Sequence, residues 1–469
     1  MSDLIREPDL YLDGRWVPGQ GDDCPVECPA TEETVAVTTQ ASETQLDEAV
    51  GAARSSFAGW AETSVVARTA LLRRLHQILT ERADLFAETI TKELGTPPPL
   101  NRRFQVDVPL AALSATAGAL ETYPFRSEIG TSLILREPVG VVGAITPWNL
   151  PLHQVLVKIA PALAAGNTVV LKPAELTPLA SFELARAIEA AGFPAGVFNL
   201  VPGPGETIGA ALAAHPGIDQ ISFTGSTAVG RQVMAAAAQT VKRITLELGG
   251  KSASVVRAGS SDQTLGTAVK VTVADCYLNG GQTCTALSRL IVPEPLVDAA
   301  AELAVAAAAR YRPGERLAPL ASAEQRAGVS AFLTPEASGG AERVTPADAA
   351  LPERGYYVHP TVYSHVPPGA RIAREEIFGP VLSIFGAADD DEAVALANDT
   401  DYGLTGAVWA DSEEAGVELA RRLRTGQVAV NGGAFNVAAP FGGYKRSGIG
   451  RELGHYGIED TLQLKAIQR

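Results

Sequence analysis

The sequence predicts an α/β fold in which a parallel sheet carries helices on both faces. Three observations lead there. Between residues 167 and 238 strands and helices alternate: "NTVVLK" then "PLASFELARAIEAAG", "GVFNLVPG" then "GETIGAALAAHP", "IDQISFTG" then a helix running through "RQVMAAAA". Past Glu247 a second α/β region begins, with an alanine-rich helix over 298–310 built from strong helix formers. Apolar residues make up 46% and charged residues 19% of 469, a globular composition with room for about two to four domains of roughly 150 residues.

The elements follow in chain order. "YLDGRW" reads as strand, Asp-Gly turn, strand. Over 43–93 the pattern turns helical, with Leu72, Leu75 and Leu79 on one face, and the prolines of "LGTPPPL" stop it. "TSLILREPVGVVGAIT" at 131–146 is β-rich and broken by Pro138 and Gly140, an extended ribbon leading into a strand. Residues 333–356, rich in Gly, Pro and Ala, read as a surface excursion.

Composition also excludes. A net charge of −15 without clustered Lys and Arg argues against nucleic acid or an anionic membrane as partner. The apolar run "VLVKIAPALAAGNTVVLK" is interrupted by Lys158, Pro161 and Asn167, too early for a membrane span, and the N-terminal stretch has no targeting signature. A soluble, cytoplasmic protein is expected. Four cysteines do not make a disulfide framework. Cys24, Cys28 and Cys276 read as packing or surface residues, and no metal site is expected.

Cys284, in "NGGQTCTA", is the exception to weigh. Alone it is compatible with a nucleophile, a redox thiol, a metal ligand or a core residue. Gly280 and Gly281 before it would let the backbone approach a ligand closely, and a free thiol is only a few per cent thiolate at neutral pH unless a dipole or cation helps. Other stretches carry complementary chemistry. "ITPWNLP" places Asn149 after a strand, as a turn residue or as an amide aimed at a developing oxyanion. "LELGGKS" places Glu247 at a strand's end, where partial burial would raise its pKa toward that of a general base. "LKPAE" puts Lys172 and Glu175 at another strand's end; a carboxylate there would take both adenosine ribose hydroxyls and repel a 2'-phosphate.

Two glycine patterns compete for phosphate. "GPGETIG" has Gly203, Gly205 and Gly209, one place off G-x-G-x-x-G. "FTGSTAVG" has Gly225 and Gly230 at P-loop separation, but Arg231 and Gln232 stand where Lys and Ser/Thr would hold phosphate and magnesium. What remains is a helix N-terminus with Ser226 and Thr227, fit for a pyrophosphate.

In this order, "TPWNLP", "LKPAE", "FTGSTAVG", "LELGGKS", "NGGQTCTA", "EEIFGPV" and "PFGGYKRSGIGRELG" resemble the NAD(P)-dependent aldehyde dehydrogenase superfamily, non-acylating branch, over about residues 9–465. The resemblance implies an aldehyde dehydrogenase-like α/β fold: a Rossmann-type NAD-binding domain (1–122 and 140–248), a catalytic domain (249–455) and an oligomerisation element (123–139 and 456–469) serving a homodimer or homotetramer. It implies Cys284 as nucleophile, Glu247 as base, and Asn149 with the Cys284 N–H as oxyanion hole. Lys172 and Glu175 would hold the adenosine ribose, Gly225 and Ser226 the pyrophosphate, and Glu376 with Phe378 the nicotinamide end. Thr146, Pro147, Trp148 and Gly249 would line the same crevice. NAD rather than NADP is expected, with aldehyde oxidised to carboxylic acid. Leu150, Gln154, Val157, Leu278, Thr283, Thr285 and Phe435 would line the substrate pocket; none is an arginine, which favours a medium aliphatic or aromatic aldehyde over a carboxylate-bearing one. Gln463 stands where many members carry Glu. The rival readings are the CoA-acylating branch, which lacks the base at the Glu247 position, and a cysteine hydrolase pairing Cys284 with His153 or His455.

Overall fold

The structure is a computed structural model that describes residues 4–97, 101–347 and 350–469. Its first large sheet has eight strands, ordered Gly448–Ile449, Arg243–Glu247, Gln220–Thr224, Val141–Ile145, Thr168–Lys172, Phe198–Leu200, Asp9–Leu12 and Arg15–Pro18. The inner five are parallel and the edges antiparallel. After Val141–Ile145 the chain lays down strands on one side, then returns to place Gln220–Thr224 on the other, so the strand order reverses beside Val141–Ile145. Ligands of open parallel sheets bind outside the carboxyl ends at such a reversal.

A second sheet runs Glu342–Arg343, Thr361–Ser364, Val381–Ala387, Arg289–Pro293, Ala253–Val256, Thr405–Trp409, Gln427–Val430, parallel except at its first strand. Residues 333–356 are thus more than an excursion: Glu342–Arg343 pairs with Tyr363 and Ser364, and the Gly355 N–H donates to Glu32 at 2.7 Å. Residues 348–349 lie outside the described residues. Leu462–Gln468, Ser132–Pro138 and Arg126–Ile129 form a separate three-stranded antiparallel sheet that leaves Ile129, Leu464 and Ile467 exposed.

Local signals place the helices. Ser42 caps Glu43–Ala61 through a reciprocal pair with Gln45, and Ser226 caps Thr227–Ala238 by accepting the Val229 N–H at 3.2 Å. Leu72, Leu75 and Leu79 are buried in the first core, where each side chain contributes about 1.5–3 kcal/mol. Helix Ala83–Leu94 stops at Gly95, left-handed at φ 68°, before the prolines, of which Pro98 and Pro99 lie outside the described residues. "GETIG" begins its helix as a π-turn, Gly205–Gly209. Among the described residues no helix is long and apolar enough to cross a membrane.

Candidate active site

Parallel pairing gathers the motifs. Ile145 pairs with Lys172 and with Phe223, and Thr224 pairs with Glu247, so the segments starting at Thr146, Pro173, Gly225 and Leu248 leave one edge of the first sheet side by side. Glu247 ends its strand buried, with its carbonyl accepting the Gly225 N–H at 3.1 Å. Neither carboxylate oxygen has a hydrogen-bond partner. Burial first, then the charge of Glu452, holds its pKa well above the ordinary carboxylate value, against the pull of Lys158 and Arg451. Gly442 leaves room for it: a Cβ there would come within 2.8 Å of Glu247 Oε1.

Cys284 is a half-buried free cysteine on the loop after the turn Leu278–Gly281. Its pKa is raised, first by burial and then by Glu247 and Glu376. The side chains acting on it are therefore carboxylates and not the cation that would make a resting thiolate. Gly280 and Gly281 are left-handed (φ 69° and 78°), and their clearance is toward protein backbone. A Cβ on Gly280 would meet Ala318 O at 2.9 Å and one on Gly281 would meet Gly379 C at 2.2 Å, so the pair docks the cysteine loop and does not simply open space for a ligand.

Asn149 is buried and its Nδ2 donates to the carbonyl of Gln282 at 2.9 Å, two residues before Cys284. Its own carbonyl accepts from Asn279 Nδ2 at 2.9 Å and Gln105 Nε2 at 3.1 Å. Sequence reasoning missed Gln105, Asn279 and Gln282. It also missed the buried ion pair Lys158 to Glu452, 2.6 Å, which acts on Glu247. A lysine inside the apolar "VLVKIAPALAA" was the available signal, since a buried ammonium needs a counter-charge.

The cofactor-side residues are also brought together. Lys172, buried, lies 3.2 Å from Glu175, which accepts the Gly205 N–H. The weaker glycine pattern thus lies against "LKPAE". Burial lowers the Lys172 pKa and Glu175 opposes that. Thr146 donates its N–H to the Lys172 carbonyl at 3.2 Å. Half-buried Pro147 precedes Trp148, whose ring meets Phe378 edge-on at 5.5 Å. Glu376 accepts the Gly250 N–H at 2.9 Å, and a Cβ on Gly249 would lie 2.0 Å from its Oε2. Gly249 therefore makes room for Glu376, whose pKa burial pushes up to about 7. Gly225 is required by Phe223, whose ring a Cβ would strike at 2.5 Å. Ser226 is exposed at the N-terminal end of its helix.

Of the substrate-side residues, Leu150, Gln154 and Val157 are buried at i, i+4, i+7 along helix Pro151–Ala165. Val157 clusters with Ala112 and Leu453, against which Val437 and Phe441 pack, and Phe441 meets Phe435 at 6.1 Å. Phe435 itself is 48% exposed. Leu278 is half-buried, Thr283 buried, and the Thr285 carbonyl accepts from Thr405 Oγ1 at 3.1 Å. The histidines of the hydrolase reading are poorly placed for it: His455 stacks on Tyr123 at 5.9 Å, and His153 has a buried Nδ1 without partner and a pKa lowered by burial and Lys158 to about 4.

Comparison with known proteins identifies the family and the fold. The aldehyde dehydrogenase family model matches residues 16–467. A Pseudomonas protein named 3-succinoylsemialdehyde-pyridine dehydrogenase is 44% identical over 98% of both chains. A mutant of aldehyde dehydrogenase C from Pseudomonas syringae, solved with NAD+ and octanal, superposes with a TM-score of 0.95 at 43% identity, over 98% of this chain and 96% of that one. An aldehyde dehydrogenase from Mycobacterium tuberculosis, solved with NAD+, gives 0.95 at 37% identity over 100% and 99%. The chain belongs to the aldehyde dehydrogenase family.

Proposed function

We propose that the reaction runs through a covalent bond to Cys284. Its thiol proton passes to solvent as sulfur adds to the aldehyde carbon. Of the two Asn149 N–H donors one is committed to Gln282, and the other, with the Cys284 N–H, takes the new oxyanion. As the C=O bond re-forms, the carbon loses its hydrogen with the bonding pair; NAD+, held by the residues named below, would supply the acceptor for that hydride. Glu247 then takes a proton from water, the hydroxide adds to the thioester, and the carbon–sulfur bond breaks to free the carboxylic acid. A carboxylate kept buried with both oxygens unpartnered carries this reading, because a structural acid would be paired.

Lys172 and Glu175 hold the adenosine ribose, with Glu175 favouring NAD+ over NADP+; Gly225 and Ser226 take the pyrophosphate and Glu376 with Phe378 the nicotinamide end. Buried Val157 beside Phe441, with buried Leu150 at the start of the same helix, suits a neutral aliphatic or aromatic aldehyde of medium length, in keeping with the octanal bound by the Pseudomonas syringae protein. Residues 1–122 and 140–248 form the NAD-binding domain and 249–455 the catalytic domain. Residues 123–139 and 456–469, with exposed Ile129, Leu464 and Ile467, join subunits in a homodimer or homotetramer.

In rapid mixing, Glu247→Gln should release about one NADH per active site and then stall as the thioester, and Cys284→Ala should release none. Steady turnover by Glu247→Gln at the wild-type rate would remove the base assignment, and activity in Cys284→Ala would remove the covalent one.

A further inference from the structure

The amide cluster behind Asn149 joins three stretches distant in sequence. Gln105 lies on the π-helical turn Asn101–Asp107, which Asn101 Nδ2 anchors to the neighbouring helix through Ala87 O and Thr91 Oγ1, both at 2.7 Å. Gln105 is fully buried; its Nε2 reaches Asn149 O and its Oε1 has no partner. Reversing the amide would set oxygen against the Asn149 carbonyl oxygen, so the contact itself fixes the orientation. A buried amide with one atom unsatisfied is destabilising, as an apolar side chain of the same size would not be. π-Turns within helices recur at functional sites.

Asn279 supplies the second donor. It is left-handed (φ 53°), a conformation asparagine tolerates better than other side-chain-bearing residues. Its Oδ1 accepts from Thr96 Oγ1 at 3.2 Å, and its carbonyl accepts from Gln282 Nε2 at 2.8 Å. Gln282 is held in turn by Pro319 O at 3.1 Å and the Ala321 N–H at 2.8 Å. Both lone pairs of the Asn149 carbonyl are thus occupied, which fixes that peptide plane. The side-chain bond to Gln282 O then fixes the amide relative to the Cys284 loop.

From this geometry we infer that Gln105 and Asn279 are positioning residues, which set the Asn149 amide for the oxyanion formed on Cys284. The inference rests on the reading of Asn149 as oxyanion donor. Misplacement of a reacting group by about 1 Å costs on the order of 100-fold in rate, so loss of one of two anchors should slow the NADH burst by about 10-fold or more. The test is a double-mutant cycle on the burst rate, with Gln105→Met and Asn149→Ala singly and together, plus the NAD+ KM and Tm of each. Gln105→Met should slow the burst about 10-fold with the NAD+ KM unchanged within about twofold, yet should not slow Asn149→Ala further. An equal slowing in both backgrounds, or a Gln105→Met burst within twofold of wild type, would overturn the inference. Near-wild-type rates in Asn149→Ala would instead remove the oxyanion reading beneath it. Asn279→Gly keeps the left-handed backbone, removes the other donor and is read by the same criteria, which decides the matter should Gln105→Met not fold.

Discussion

Lys158 and Glu452, 294 residues apart, meet at 2.6 Å with side chains 0% and 6% exposed, and both charges act on Glu247. Lys158 comes from the helix that follows Asn149, and Glu452 from the segment that returns along the edge of the first sheet. Breaking a buried pair by removing one partner costs about 3–5 kcal/mol, whereas replacing both by apolar groups is often neutral. Lys158→Met should therefore destabilise strongly, and Lys158→Met with Glu452→Leu should recover most of the loss. Denaturant melts of the two variants check this.

The same pair sets a pH dependence. If Glu247 is the base, it would act only when ionised, so the rate should rise as pH climbs through its elevated pKa, above the ordinary carboxylate range. Glu452→Gln removes a repelling charge and should move that rise to lower pH. Lys158→Met removes an attracting charge and should move it to higher pH. A profile of kcat against pH for wild type and both variants reads the two directions.

Lys251 is buried, its Nζ lacks a partner, and burial lowers its pKa to about 7. A lysine whose folded pKa is depressed binds fewer protons in the native state. Stability should therefore rise with pH from about 7 toward the unfolded value near 10.4, and fall below it. Lys251→Met should remove this contribution and raise Tm more at pH 6 than at pH 9, which a pair of thermal melts tests.

Val241, in the turn after helix Thr227–Ala238, is left-handed (φ 57°) and 89% exposed. For a β-branched residue that backbone costs about 1–2 kcal/mol, part of which glycine returns as entropy in the unfolded chain. Val241→Gly should stabilise by up to about 1 kcal/mol in a urea melt and leave turnover unchanged.

Glu175 lies against Lys172 and the Gly205 N–H. Replacing its charge in Glu175→Gln should raise the KM for NAD+ about 10-fold through lost ribose contacts and lower that for NADP+ by removing repulsion. Steady-state kinetics with each cofactor would show the two constants moving in opposite directions.

Features that depend on neighbouring residues were legible in the sequence. Strand and helix alternation, the leucine stripe and the end of the first helical region before the prolines follow from propensity and periodicity over a few residues, and the parallel sheet follows from them. The residue types put Glu247 and Asn149 at strand ends but left Cys284 open among four roles, and only the family resemblance joined the three into one expected set. Leu150, Gln154 and Val157 were grouped by the family resemblance alone.

Tertiary structure alone decided what stands behind those residues. Gln105 is an ordinary polar residue in "NRRFQVD" until the fold lays it against Asn149, and Glu452 is one acid in "GRELG" until Lys158 arrives from the far side of the chain. Gly280 and Gly281 looked like clearance for a ligand because their collision partners, Ala318 and Gly379, are remote in sequence. Propensity acts through adjacent residues, so spacing along the chain records it. Desolvation and charge act through space, and only the strand order and the packing of helix on sheet determine which side chains share the same interior.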